Sequence, residues 1–258
     1  MTAHPTRTTS RQIHVWESAY NAQKLKKNHW NFQIAKSVAI ADGSVSYNVV
    51  WQSKSIAPHT RISWKDRYAL NWTADVPAEG LSVTVSGEWQ LCALGGAYDL
   101  DENGFWAKSP ASVKRDSKFM TVGGVNYAYP GADGIHIVVG IQNADDGFDV
   151  IYVDPTSLAK GSSAKYQPQD KIHWWYQTDM RSSTMISTAF TAKGSVDLSK
   201  PGPTTNDYYY STTYNYNTGT WITSEDQPNE LLYAPPKVSF TAEFIPLQPL
   251  ADCHTGVV

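Results

Sequence analysis

His173 is the side chain with the most chemistry in reach. It lies in the stretch Tyr166–Asp179, YQPQDKIHWWYQTD, with Asp170 shortly before it and Asp179 and Arg181 after it. An imidazole titrates near neutrality, so it can give a proton to a bound molecule or take one from it. Asp170 could orient that ring, and Arg181 could hold a polar group of a ligand. Two bland readings stand beside this one. Buried histidines are more often hydrogen-bonded core residues than ligands' partners. Charged residues at strand ends, such as Asp170 and Arg181, are more often solvated.

Other motifs carry less. Asp99-x-Asp101-x-Asn103-Gly104 opens like an EF-hand calcium loop, but the twelfth position is Pro110, which cannot supply the closing carboxylate. A hairpin turn explains the same residues. The histidines show no HxxxH or HxH spacing and the two cysteines no CxxC, so no metal site is expected. No G-x-S-x-G elbow is present, and Val122-Gly123-Gly124-Val125 lacks the lysine of a phosphate loop. No cofactor is expected.

The element that must position His173 is a strand. Aromatic and β-branched residues suit a pleated surface, and successive side chains alternate between its faces. Ile172, Trp174 and Tyr176 take one face, and Lys171, His173, Trp175 and Gln177 take the other. A half-buried strand needs only one aromatic face, and this one has a tryptophan on each.

The rest of the chain also alternates. Trp30, Phe32 and Ile34 read as one strand, Tyr47 to Trp51 as its return, and Ile62 to Thr73 as a long strand with Ile62, Trp64, Leu70 and Trp72 inward. Leu81, Val83, Val85 and Trp89 read as the next strand, and Tyr98 to Trp106 as a hairpin turning at Asn103-Gly104. The pattern then restarts. Tyr47-Asn48-Val49-Val50-Trp51 falls on Phe148-Asp149-Val150-Ile151-Tyr152, Trp64 on Tyr166, Leu70 on Ile172 and Trp72 on Trp174. Tyr98 and Trp106 fall on Tyr214 and Trp221. This predicts an all-β fold built by tandem duplication of an antiparallel sandwich or barrel-like unit of about 100 residues, related by a pseudo-twofold. The expected divisions are a disordered tail at 1–11, a first repeat at 12–123, a second at 124–246 and a tail at 247–258.

Comparing the copies singles out positions. Inner-face residues keep their apolar character. On the outer face Asn71 falls on His173, Thr73 on Trp175, Thr84 on Ile186 and Glu88 on Phe190. The second copy has turned that face apolar, so it must be covered or form part of a pocket. The expected site therefore has His173 and Asp170 as catalytic residues. Trp175, Trp174, Tyr176, Phe190, Ile186, Arg181 and Asn71 are its ligand-binding set.

Composition bounds the function. With 41% hydrophobic and 17% charged residues, 258 residues can bury a sizeable core. A formal charge of −3 provides no basic field for nucleic acid or an anionic membrane. No apolar run reaches the roughly 20 residues of a membrane helix, and no signal peptide precedes the first strand, which reads as cytosolic. Ten Trp and 15 Tyr against seven Phe favour partly buried surfaces that meet a ligand.

The YQPQ and WWYQT segments (Tyr166–Gln169 and Trp174–Thr178) resemble uncharacterised proteins of filamentous fungi. The resemblance covers much of the chain, implies a soluble intracellular fungal protein, and brings no activity or catalytic residues with it. The expected function is binding of an apolar or polycyclic small molecule between the repeats, as a cofactor-free cyclase or isomerase. The alternatives are a cytosolic carbohydrate-binding lectin and a purely structural protein. Homo-oligomerisation stays open.

Overall fold

A computed structural model describes residues 10–131, 133–187, 194–199, 207–215, 218 and 220–224. In chain order the elements are β1 (Ser10–Glu17), α1 (Ala19–Lys27), β2 (Asn31–Ile40), β3 (Val45–Ser46), β4 (Gln52–Ser55), β5 (His59–Thr73), β6 (Gln90–Cys92), β7 (Ala97–Leu100) and β8 (Trp106–Lys108). They continue with β9 (Met120–Val125), β10 (His136–Asn143), β11 (Phe148–Val153), β12 (Ala164–Gln177), β13 (Gly194–Asp197), β14 (Asp207–Asn215) and β15 (Thr220–Ser224).

The fold is mostly β, in two sheets that include a half-barrel, with one short helix among the described residues. β5 and β12 are its two longest strands. Their alternation sends Ile62, Trp64, Tyr68, Leu70 and Trp72, and Tyr166, Ile172, Trp174 and Tyr176, into one core. Trp51, Trp64 and Trp174 are each no more than 1% exposed. Burying a side chain of that size contributes on the order of 2–3 kcal/mol. Trp51 meets Trp64 edge-to-face at 5.4 Å, the geometry the ring quadrupoles favour.

One sheet runs β11-β10-β5-β1-β14-β15, with β6 also on β5. The other runs β3-β2-β12-β9-β7-β8, with β4 also on β2 and β13 also on β12. The direction of pairing matches position by position. β1 meets β14 in parallel, as β9 meets β7, and the other neighbours are antiparallel. Each sheet mixes early and late strands: β5 pairs with β10, and β2 with β12. Neither half of the chain completes a sheet alone.

Both long strands carry a bulge at mid-length. In β5, Asp66 and Arg67 are extra between Lys65, opposite Gln142, and Tyr68, opposite Ile141. In β12, the three residues Gln169 to Lys171 stand against the single Ser37 of β2. Two extra residues preserve the side-chain phase, so the inner face stays inner on both sides of the bulge.

Three sequence expectations give way locally. The strand expected over Leu81–Trp89 forms only one bridge, Ser82 to Thr184, and Leu81 is exposed. Backbone bonds from Gly80 and Val83 to Met185 and Ser183, and from Met185 to Leu81, hold it there, and among the described residues no strand extends that pairing. The segment 47–51 is not a continuous strand either. Asn48 donates to the Val153 carbonyl at 2.6 Å and accepts from the Val153 N–H at 3.3 Å, so a side chain replaces the ladder. Arg11, placed in the tail by sequence, belongs to β1. The helix α1 escaped the alternation because only Asn21, Ala22 and Leu25 of its nine residues are buried. It starts where Ser18 accepts from the Asn21 N–H at 3.2 Å, a side-chain N-cap. The end of the expected second repeat, 225–246, and residues 1–9 and 247–258 of the expected tails lie outside the described residues.

Asn48→Ala is expected to destabilise the fold by about 1–3 kcal/mol, because it strips both partners from a buried peptide group. A urea midpoint measurement checks this; an unchanged midpoint would mean that the ladder does not need Asn48.

Candidate functional site

β2 alternates strictly, and its inner phase reads Phe32, Ile34, Lys36, Val38. Phe32, Ile34 and Val38 join the main core. Lys36 follows the same phase and is fully buried, 0% exposed. Its Nζ makes no hydrogen bond and stands 6.0 Å from the Tyr68 ring centroid. Desolvation penalises an ammonium here, and Arg11 adds repulsion, while Asp170 and Asp66 oppose both. Burial wins, and the amine is held down to about 8.

The two bulges bring those carboxylates to Arg11. The Arg11 Nε lies 2.8 Å from Asp66 Oδ2, and its Nη1 lies 3.4 Å from Asp170 Oδ1. Tyr68 donates its hydroxyl to Asp66 Oδ1 at 3.1 Å. Burial first, and then the two carboxylates, push the Tyr68 phenol well above its ordinary range, so it stays a proton donor at neutral pH. Each member comes from a different element: Arg11 from β1, Asp66 and Tyr68 from β5, Asp170 from β12 and Lys36 from β2.

Arg11, Asp66, Tyr68 and Asp170 line a cleft of about 950 Å³. Ligand pockets commonly span about 300–1,000 Å³. Tyr98, Cys92 and Pro168 add apolar wall, and Leu91 and Leu94 stand partly exposed, at 40% and 49%, against the same space. Burial pushes the Cys92 thiol up to about 12, so it is an inert wall group at neutral pH. Arg67 and Lys108 also face the cleft, which tips its lining toward positive charge in a chain of formal charge −3. The cleft offers an apolar body site, a phenol and two carboxylates; the Lys36 amine does not line it and lies fully buried, 6.0 Å from the Tyr68 ring.

The expected residues are divided among several environments. His173 is 5% exposed on the opposite face of β12, with Nε2 3.0 Å from Ser37 Oγ and its ring stacked on Tyr47 at 3.9 Å. Burial, and then the Lys171 charge, lower its pKa to about 4, so it is neutral at pH 7. Trp175 and Ile186 do come together beside it, in a small cluster with Ala35, Tyr47 and Val50. That cluster covers the apolar outer face by packing against it. Trp174 and Tyr176 lie in the main core, where the Tyr176 hydroxyl donates to Glu17 at 3.3 Å. Asn71 is a clamp: it donates to the Gly87 carbonyl at 2.8 Å and accepts from the Gly87 N–H at 3.1 Å. Arg181 is exposed, and Phe190 lies outside the described residues. Of the described members of the expected set, only Asp170 lines one of the cavities. Asp170 points to Arg11 on the inner face and His173 to Ser37 on the outer, so the two do not form a pair.

Lys36, Asp66, Arg11 and Tyr68 went unnoticed in the sequence. A signal existed: Phe32-x-Ile34-x-Lys36-x-Val38 places a lysine in an apolar phase. Among the described residues, no group of three His, Cys, Asp or Glu side chains is placed to hold a metal ion. No helix among them is long and apolar enough to cross a membrane. No protein-family model, curated protein or solved structure matches the chain.

His173 titrates lower in the folded chain than in the unfolded one. Its contribution is therefore complete above about pH 6.5 and lost as the pH falls toward 4. Denaturant melts of wild type and His173→Phe across that window are expected to show the wild type losing stability relative to the variant. A constant difference would mean that the buried imidazole accepts its proton without cost.

Proposed function

We propose that the protein binds one small molecule, apolar in body and polar at one end, in the cleft beside Lys36. It would transform that molecule as a cofactor-free isomerase or cyclase, with Tyr68, Asp66 and Asp170 as the groups that meet it and Lys36 as a buried amine behind them. The observation that carries this is a cleft of about 950 Å³ lined by Tyr68, Asp66, Asp170 and Arg11, with the unpaired Lys36 amine 6.0 Å from the Tyr68 ring. A purely structural role explains it poorly, because an apolar residue at position 36 would complete the core without the cost of burying a charge. Groups whose proton affinity is displaced by burial and by specific charges concentrate at functional sites.

The site belongs with a tandem duplication, which we propose as the origin of the fold. The matching strand orders of the two sheets support it, as does the bridge between Ser82 and Thr184, which the repeat offset makes equivalent. β5 and β12 would then be counterparts, and the cleft would lie between them. The copies have diverged there: only one supplies Lys36, so the chain would hold one asymmetric site.

The lectin reading has its best candidate in a polar cleft of about 410 Å³ bordered by Trp51, Arg61, Asn143 and Asp149. Trp51 is fully buried and offers no face for a sugar ring. Asp149 already accepts from Trp51, Gln52 and Asn143, at 3.1, 3.1 and 2.9 Å. The Lys36 cleft is the better supported site.

Two measurements test the proposal. The fluorophore 1-anilinonaphthalene-8-sulfonate has an apolar body and one anionic group. It is expected to bind the native protein, and Leu94→Asp should weaken binding about tenfold, or about 1.4 kcal/mol, without changing the melt. Equal binding by both proteins would place the ligand elsewhere. Lys36→Met should remove the cost of the buried charge and stabilise the protein by about 3 kcal/mol below pH 8. That advantage should close as the pH rises from about 8 to 10.5, since the folded amine loses its proton before the unfolded one. A destabilised Lys36→Met would show that the lysine serves the fold.

A further inference from the structure

We propose that the cleft takes a monocarboxylate with an apolar chain, and that Arg67 and Lys108 hold its carboxylate. The inference rests on the cleft being the ligand site and names the polar end of the molecule that fills it.

The charges on the lining carry it. Three cations, Arg11, Arg67 and Lys108, stand against two carboxylates, Asp66 and Asp170. Arg11 answers both carboxylates, at 2.8 Å from Asp66 Oδ2 and 3.4 Å from Asp170 Oδ1. The other two cations have no carboxylate. Arg67 donates to the neutral amide of Gln142 at 3.2 Å, which occupies one of the five N–H groups of a guanidinium. Lys108 is exposed and joins no ion pair among the described residues. Arg67 reaches the cleft from β5 in one sheet, and Lys108 from β8, the last strand of the other. The lining therefore has one positive charge in excess, in a chain whose formal charge is −3. Lys36, buried behind Tyr68, adds to that sign while it is protonated.

One carboxylate balances the excess. A phosphate monoester would bring close to two negative charges to a lining that already holds Asp66 and Asp170. The same two carboxylates set the orientation. They repel an anionic end, so the ligand's carboxylate turns to Arg67 and Lys108 and its chain lies past Tyr68. The chain has a surface to meet. Leu91 and Leu94 are 40% and 49% exposed on this lining. Their segment is held in place: the Ala93 N–H donates to the Tyr98 hydroxyl at 3.0 Å, and the Gly95 N–H to the Phe119 carbonyl at 2.8 Å. A fixed segment that presents two leucines to water gains by having an alkyl chain laid over them.

The test is isothermal titration of the full-length protein with octanoate, octanol and octyl phosphate at pH 7 and low salt. Octanoate is expected to bind about tenfold more tightly than octanol, or about 1.4 kcal/mol, and more tightly than octyl phosphate. Added salt should erase that advantage, because Lys108 is exposed. Arg67→Gln and Lys108→Gln should each weaken octanoate about fivefold and leave octanol unchanged. Lys26→Gln, on α1 and outside the lining, should change neither. Leu94→Ser removes alkyl contact without adding charge and should weaken both ligands alike. Octanol bound as tightly as octanoate, tighter binding of octyl phosphate, or octanoate binding indifferent to Lys108→Gln would each overturn the inference. If binding still depends on Leu94 in those cases, the cleft stands as the ligand site. No binding of any of the three, or binding indifferent to Leu94→Ser, would defeat the cleft as well.

Discussion

An ammonium group placed in an apolar core costs free energy, and the surroundings of Lys36 are organised around that cost. β2 needs an apolar residue at this phase and has a lysine. The fold compensates in part by aiming two carboxylates at the position. Neither would arrive there on a regular strand. The bulge in β5 admits Asp66, the bulge in β12 admits Asp170, and Arg11 from β1 holds both. The compensation is incomplete, and the amine titrates well below an ordinary lysine.

The interleaving of the sheets is what makes the cluster possible. Because β5 pairs with β10 and β2 with β12, the two long strands belong to different sheets whose inner faces share one core. Their bulges can then both feed the interior of the same molecule. The long-range pairing is costly to form, since early strands must wait for late ones. In return, the strands that carry these groups have neighbours on both edges, although Asp66 and Asp170 themselves stand in bulges outside the ladder. A constellation held by strands is positioned more tightly than one held by loops.

Much of the fold was legible in the sequence, and most of the site was not. Alternation in Ile62–Thr73 and Tyr166–Gln177 gave the two long strands and their inner faces, because a period of two is visible wherever one face is apolar. The hairpin at Asn103-Gly104 followed from turn chemistry, and β7 and β8 pair around it. The comparison of outer faces correctly linked Trp175 with Ile186. Of the two outcomes open to an apolar outer face, cover or pocket, the packing of this cluster gives cover. Tyr47 and Val50 cover it by packing, and His173 is a core residue whose Nε2 bonds Ser37 while its Nδ1 is buried without a hydrogen bond. Bulges are invisible to periodicity when they add two residues, since the phase survives. Asp66 therefore drew no notice, and Asp170 read as a partner of His173 rather than of Arg11. Lys36 was the exception, a charged residue in an unbroken apolar phase.

Lys36 is a fully buried, weakly basic amine 6.0 Å from the ring of Tyr68, which walls the cleft. The most direct measurement is a pH titration of its side-chain Cε and Nζ signals by heteronuclear NMR, assigned with Lys36→Arg. The account expects a midpoint near 8, well apart from the exposed lysines. A midpoint at the ordinary 10.5 would contradict it, because the amine would then be solvated or fully paired rather than held in the core.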